Sequence, residues 1–173
     1  MQRSPAIASA AGGITTSSAL LIDVRVVCLQ LAGVYKLEQR AHSIAAKERI
    51  RCFVLASRGK TKAKNMPLGP EYVLSACAPF TQEPISDEGL KGCIVGLYDM
   101  ELLSSWAVAR AHARIPNSTL CGMAQYWAIC RIWPVRPALP YRHVCGGPYT
   151  WASLPASTIA AASKRLKPPI YFK

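Results

Sequence analysis

Basic and aromatic side chains are interleaved in the last third of the chain, and this mixture is typical of a surface that holds single-stranded nucleic acid. Aromatic rings stack on bases, while guanidinium and ammonium groups follow the phosphates. The candidate contacts are Arg131, Trp133, Arg136, Tyr141, Arg142, Lys164, Arg165 and Lys167. No recognised RNA- or DNA-binding signature accompanies them, so ordinary core and surface residues are the alternative interpretation.

Prolines in the same region are spaced as in ligands of polyproline-reading domains. Such ligands dock as preformed polyproline II helices, with a basic residue paired to an acidic rim. Arg131, Pro134 and Pro137 have one orientation of this spacing, and Pro137, Pro140 and Arg142 have the other. The segment 131–142 is therefore a candidate docking motif, although any basic, proline-rich stretch generates such matches.

Residues with catalytic or metal-binding potential lack the partners that the chemistry needs. The tripeptide Gly-Lys-Thr at 59–61 follows an apolar run, as in a phosphate-binding loop, but the first glycine of that motif would fall on Val54. His143 and Cys145 could supply a base and a thiol, but no carboxylate is positioned to orient them. The cysteines and histidines do not have metal-site spacing. We expect no catalytic, cofactor-binding or metal-binding residue, and hence no enzyme.

Charge is strongly uneven along the chain of 173 residues, whose formal net charge is +12. Residues 36–64 carry +7, residues 65–101 carry −5, and residues 102–173 carry +9 with no acid after Glu101. Such an excess of base attracts polyanions without specifying one. We therefore expect nucleic acid or another polyanion as the partner, bound chiefly by the acid-free part. The sequence does not indicate an oligomeric state.

The seven cysteines are widely spaced and odd in number, which argues against a complete disulfide framework. Reduced thiols predict an intracellular protein, cytoplasmic or nuclear. Polar residues and charges interrupt the apolar stretches, so no transmembrane span is expected. The first residues are rich in Ala and Ser and poor in acid, and import by an N-terminal transit peptide is the alternative to a flexible N-terminus.

Hydrophobic periodicity predicts an α+β fold in one small, loosely specified domain. We expect a first strand over 21–31, helices over 36–47 and 99–115, and a last helix over 157–167. Short apolar runs over 52–56 and 93–98 suit strands, although the first could also end a helix. The organisation predicted is a flexible N-terminus at 1–19, an α+β domain at 20–115, and an irregular basic, proline- and aromatic-rich C-terminal region at 116–173.

Three functional hypotheses follow. The first is a non-enzymatic protein that binds anionic partners such as nucleic acid with little specificity. The second is an adaptor that recruits a polyproline-reading domain through residues 131–142. The third is the product of a reading frame with no selected function, because the local signals in the sequence rarely support one another.

Overall fold

One curled sheet of seven strands organises the protein. The computed structural model describes residues 14–33, 35–40, 42–57, 87–113, 125–142 and 151–172. In chain order the elements are β1 (Ile14–Asp23), α1 (Val24–Leu31), β2 (Leu37–Arg40), β3 (Arg49–Ser57), α2 (Asp87–Leu90), β4 (Cys93–Leu102), α3 (Trp106–Ala113), β5 (Gln125–Pro140), β6 (Trp151–Ser153), α4 (Ala156–Ser163) and β7 (Ile170–Tyr171).

The strands lie in the order β2-β5-β4-β3-β1-β6, and β7 pairs with β5. The pair β1 and β3 is parallel, whereas the other pairs are antiparallel. Trp127 of β5 lies opposite Leu102 of β4 on one side and opposite Glu38 of β2 on the other. The edge of β5 away from β4 is thus occupied first by β2 and then by β7. Strands from both predicted segments, 20–115 and 116–173, share this sheet.

Two hydrophobic cores lie on opposite faces of the sheet, because successive residues of a strand point to opposite sides. Cys52 and Val54 of β3 pack in the first core with Val27 and Cys28 of α1. Phe53 and Leu55 of the same strand pack in the second core, which Ala162 of α4 covers. Burial on both faces explains why the apolar run over 52–56 shows no alternation.

A β-bulge at Cys130 changes the face to which β5 directs its side chains. Asp99 lies opposite Arg131 and Met100 lies opposite Ile129, so β5 has one residue more than β4 between these pairs. Ile129 therefore packs in the first core, whereas Trp133 packs against the second. A further irregularity between Pro134 and Leu139 accommodates the prolines of β5, which cannot donate a ladder hydrogen bond.

The predicted α+β class is wrong, because the described part of the protein is dominated by its sheet and is closer to an all-β fold. The helix expected over 36–47 is absent, and β2 lies there instead. The helix expected over 99–115 is limited to α3, because residues up to Leu102 belong to β4. The expected irregular C-terminal region is also wrong, since β5 has 16 residues and lies within the sheet.

Polar contacts made in the sheet override the helical pattern in both segments. Glu38 and Arg40 form an ion pair along one face of β2, and Asp99 and Glu101 of β4 each meet an arginine of β3. These polar groups obtain partners in the sheet that an isolated helix would not give them. Within the described ranges, no helix has the length and apolarity needed to cross a lipid bilayer.

Gly96 of β4 is a point at which the sheet has no room for a side chain. A Cβ atom there would lie 3.0 Å from Tyr98 Cε1, 3.1 Å from the Trp133 carbonyl oxygen and 3.2 Å from Ile132 Cγ2. We expect Gly96→Ala to lower the free energy of unfolding by about 1–3 kcal/mol, because the backbone must shift to relieve this overpacking. Urea denaturation measures it. Ser104→Ala, at an exposed position, is the control, and equal stability of both variants would contradict the close packing at Gly96.

Candidate nucleic-acid interface

A row of polar and aromatic side chains crosses four strands on the face of the second core. Arg51 of β3 lies opposite Asp99 of β4, Asp99 lies opposite Arg131 of β5, and Arg131 lies opposite Tyr171 of β7. Residues directly opposite one another share a face of the sheet. The side chains of this cross-strand row are therefore neighbours although they come from four distant parts of the sequence.

One carboxylate at the centre of the cross-strand row is shared by two guanidinium groups. Arg51 donates from Nε to Asp99 Oδ1 and from Nη2 to Oδ2 at 2.8 Å. Arg131 donates to the same Oδ2 from Nε at 3.1 Å and from Nη2 at 2.7 Å. The hydrogen bonds to Asp99 raise the pKa of Arg51 above its ordinary value. With both arginines charged and Asp99 ionised, the group carries one positive charge in excess.

The ring of Trp133 lies against both guanidinium groups of the row. Cζ of Arg51 is 5.0 Å and Cζ of Arg131 is 4.5 Å from the ring centroid. Arg131 also approaches the ring of Tyr171, at 5.8 Å. These cation–π contacts orient the guanidinium planes and add to the ion pairs. Trp133 therefore helps to hold both arginines in place.

The last part of the described chain lies as a ribbon along the edge of β5 that faces away from β4, beyond the part paired with β2. In this C-terminal ribbon, residues 164–172, the Arg165 carbonyl accepts from the amide of Arg136 at 3.0 Å. The amide of Lys167 donates to the carbonyl of Pro134 at 2.8 Å, and β7 completes the pairing. The ribbon brings together two basic segments that are about 30 residues apart in the sequence.

The predicted contact residues differ in how they are placed around the ribbon. Arg136, Arg142, Lys164 and Lys167 are exposed. Arg165 donates from Nη1 to the carbonyl of Pro137 at 3.2 Å, and it therefore helps to hold the ribbon. Tyr141 donates its hydroxyl to the carbonyl of Ser153 at 2.7 Å, near β6. The structure thus brings Arg131, Trp133, Arg136, Lys164, Arg165 and Lys167 to one edge of β5, with Tyr141 and Arg142 beyond the end of that strand.

Tyr171 is an exposed aromatic side chain that the sequence patterns did not indicate as a contact residue. It is 66% exposed, and Val108 is the other exposed large hydrophobic residue in the described part of the chain. Trp127 is fully buried, and Trp151 donates its indole N–H to the carbonyl of Ile44 at 3.2 Å. Nothing local marks Tyr171, because its position beside Arg131 arises from strand pairing across about 40 residues.

The residues of the candidate docking motif lie in β5 or just beyond it. Pro134 is buried and lies opposite Gly96, whereas Pro137, Pro140 and Arg142 are exposed. Arg131 is bonded to Asp99. The first spacing therefore includes a buried proline, whereas the three residues of the second are all exposed, and docking through 131–142 stays a prediction. The tripeptide at 59–61 and the pair at 143 and 145 lie outside the described residues.

No protein-family model matches the chain, and no curated protein sequence is similar to it. The arrangement of the side chains is therefore what indicates a function. In the ranges that the structure describes, no group of three or more His, Cys, Asp or Glu side chains could hold a metal ion.

A second polar cluster is buried on the opposite face of the sheet, around Glu38 of β2, which lies opposite Trp127 of β5. Nε of Arg40 lies 2.9 Å from Glu38 Oε1, and Gln30 of α1 donates to Oε2 at 3.1 Å. Gln30 also donates to the carbonyl of Leu37, and Arg40 donates to the carbonyl of Leu21 at 2.6 Å. These bonds connect α1, β1 and β2, so the cluster fixes β2 at the margin of the sheet.

Burial is the main cause of the pKa shifts in and around this cluster. It raises the pKa of Glu38, although Arg40 and the hydrogen bond from Gln30 oppose the shift. It raises the pKa of Cys52 to about 12, so this thiol is protonated and unreactive at neutral pH. Tyr98 is also buried, and its hydroxyl has no hydrogen-bond partner among the described residues. The cluster therefore favours a structural role over a nucleophilic one.

Glu38 makes stability depend on pH. A carboxyl group whose pKa is raised by folding binds its proton more tightly in the folded state, so its contribution to stability is greatest at low pH. This contribution to stability is lost as the pH rises from about 4.3, the ordinary pKa of a glutamate in an unfolded chain, through the higher pKa of Glu38 in the folded protein. We expect the free energy of unfolding of the wild type, relative to that of Glu38→Gln, to fall over this range. Urea denaturation at several pH values measures the difference.

The matched control for this titration is Glu48→Gln, which removes a carboxyl group from an exposed position. Glu48→Gln should leave the pH dependence of the wild type unchanged. A wild-type curve that runs parallel to that of Glu38→Gln from pH 4 to 8 would show that burial does not perturb Glu38.

Proposed function

We propose that the protein is a non-enzymatic binding protein for single-stranded nucleic acid, with little sequence specificity. The observation that carries the proposal is that the C-terminal ribbon brings two separate basic segments to the edge of β5 on which Tyr171 is exposed. A basic track supplies contacts to phosphates, and an exposed ring supplies a stacking surface for a base.

Electrostatics favours an anionic partner at this edge. Arg136, Lys164 and Lys167 are exposed, and no Asp or Glu follows Glu101 in the sequence. Among the described residues, the acids of β4 on the face of the cross-strand row, Asp99 and Glu101, are already paired with arginines. The positive potential is therefore not cancelled locally, and binding should weaken steeply with salt.

A single strand is favoured over a duplex because of the form of the site. Tyr171 can stack on a base only where that base is unpaired and turned out from its neighbours. In the described residues, no helix or hairpin projects from this edge to enter a groove of duplex DNA. The ribbon and the ring instead form a shallow surface along which a flexible strand can lie.

The contribution of the ribbon is tested with Lys164→Gln combined with Lys167→Gln. Each single-strand phosphate contact contributes about 0.7 to the slope of log K against log salt concentration, so this double variant should lower the slope by about 1.4. Fluorescence anisotropy with labelled single-stranded RNA over a salt series measures both the affinity and the slope.

Arg25→Gln combined with Lys47→Gln is the matched control, because it removes two exposed positive charges far from the ribbon in sequence. We expect this control to keep the wild-type slope. No binding by the wild type at low salt would refute the proposal, and equal losses in the two double variants would assign the binding to net charge instead of to this edge.

Stacking on Tyr171 is tested by replacing its ring. Tyr171→Ala should weaken binding of single-stranded RNA by about 1–3 kcal/mol, whereas Tyr171→Phe keeps the ring and should bind nearly as well as the wild type. Binding of a duplex of the same length should change little in either variant. The same anisotropy assay measures all three, and an unchanged affinity in Tyr171→Ala would exclude the ring as a contact.

A further inference from the structure

The two arginines that share Asp99 are held unequally. The side chain of Arg51 is 12% exposed, and it uses both oxygens of the carboxylate. The side chain of Arg131 is 35% exposed, and both of its bonds go to the single oxygen Oδ2. Arg131 is thus the more accessible of the two and bonds to one carboxylate oxygen instead of both, and it lies beside the C-terminal ribbon.

A phosphate competes naturally with this carboxylate. Guanidinium groups bind carboxylates and phosphates through the same parallel N–H donors, so one group cannot serve both fully at once. A phosphate that binds Arg131 through its Nε–Nη2 edge, which now holds Asp99, would have to replace the bonds to Oδ2. Asp99 would not be left unpaired by this exchange, because its two bonds to Arg51 remain.

From this inequality we infer that Asp99 regulates the proposed site as a built-in competitor of nucleic-acid phosphate for Arg131. The inference rests on the proposed function and identifies the group that limits its affinity. In the free protein Asp99 holds Arg131, and in the complex a phosphate of the single strand takes its place while Arg51 keeps Asp99. Trp133 holds the plane of Arg131 in both states, because its ring contact does not use the N–H donors.

The placement of Trp133 makes the exchange local. Both guanidinium groups lie on its ring, at 5.0 and 4.5 Å from the centroid, so the exchange takes place beside one ring. Tyr171 lies on the other side of Arg131 in the cross-strand row. A phosphate on Arg131 therefore leaves the adjoining base close to the exposed ring.

The direct test is Asp99→Asn, which keeps the size of the side chain and removes its charge. We expect single-stranded RNA to bind this variant about five- to tenfold more tightly than the wild type, with a salt slope steeper by about 0.7, because one more guanidinium becomes available to a phosphate. The gain should disappear when Arg131→Gln is added. Anisotropy over a salt series measures affinity and slope.

Glu101→Gln is the matched control. Glu101 lies on the same face of β4 and pairs with Arg49 at 3.4 Å, and its replacement changes the net charge by the same amount. It should raise affinity much less than Asp99→Asn. An equal gain in the two variants, or a gain that survives Arg131→Gln, would overturn the inference and leave the proposed function standing.

A measurement on the wild-type protein avoids dependence on the folding of Asp99→Asn. The Nε–H resonance of Arg131, assigned with Arg131→Gln, should move when single-stranded RNA is added, whereas that of Arg51 should stay in place. Binding of RNA with no change at Arg131 would overturn the inference. Absence of RNA binding by the wild type would instead refute the proposed function, and the inference with it.

Discussion

The shared carboxylate of Asp99 is the constraint on which the middle of the sheet depends. Both of its oxygens accept from Arg51 on one side, and Oδ2 also accepts from Arg131 on the other, so one side chain connects three adjacent strands. A slip of one residue in any of these strands would turn a charged partner to the opposite face. The ion pairs therefore specify register where the neighbouring apolar side chains, which pack on both faces, specify it weakly.

Register at this row also decides what lies at the edge of β5. Tyr171 is opposite Arg131, and the ribbon before it follows the same ladder back to Arg136. The basic side chains of the ribbon are thus positioned by the pairing that begins at Asp99. The buried cluster of Glu38, Arg40 and Gln30 performs a similar task for β2, on the same edge of β5 but in the first half of the strand.

Sequence patterns predicted those elements whose cause is local. The runs over 52–56 and 93–98 are strands. α4 begins one residue before the helix expected over 157–167 and ends four residues before its predicted end. The strand expected over 21–31 is wrong beyond Asp23, because Val24–Leu31 form α1, and the Asp23 carboxylate accepts from the amide of Arg25 at the start of that helix. The segments 37–40 and 99–102, expected in helices, obtain their partners from far away. Polar residues of β2 bond to α1 and β1, and the polar end of β4 bonds to β3 and β5, which no window of neighbouring residues reveals. The basic residues of the interface were likewise visible in the sequence, whereas the exposure of Tyr171 and the covered faces of Trp133 depend on strand pairing.

The extra residue at Cys130 has a consequence for how this segment can change over time. Before it β5 directs Trp127 and Ile129 to the first core, and after it the strand directs Arg131 and Trp133 to the opposite face. Removing one residue here would exchange the two sets, placing a guanidinium group among buried apolar side chains. Because Cys130 is exposed, many side chains should be tolerated at this position. Selection for the fold should instead remove insertions or deletions of one residue between Ile129 and Arg131.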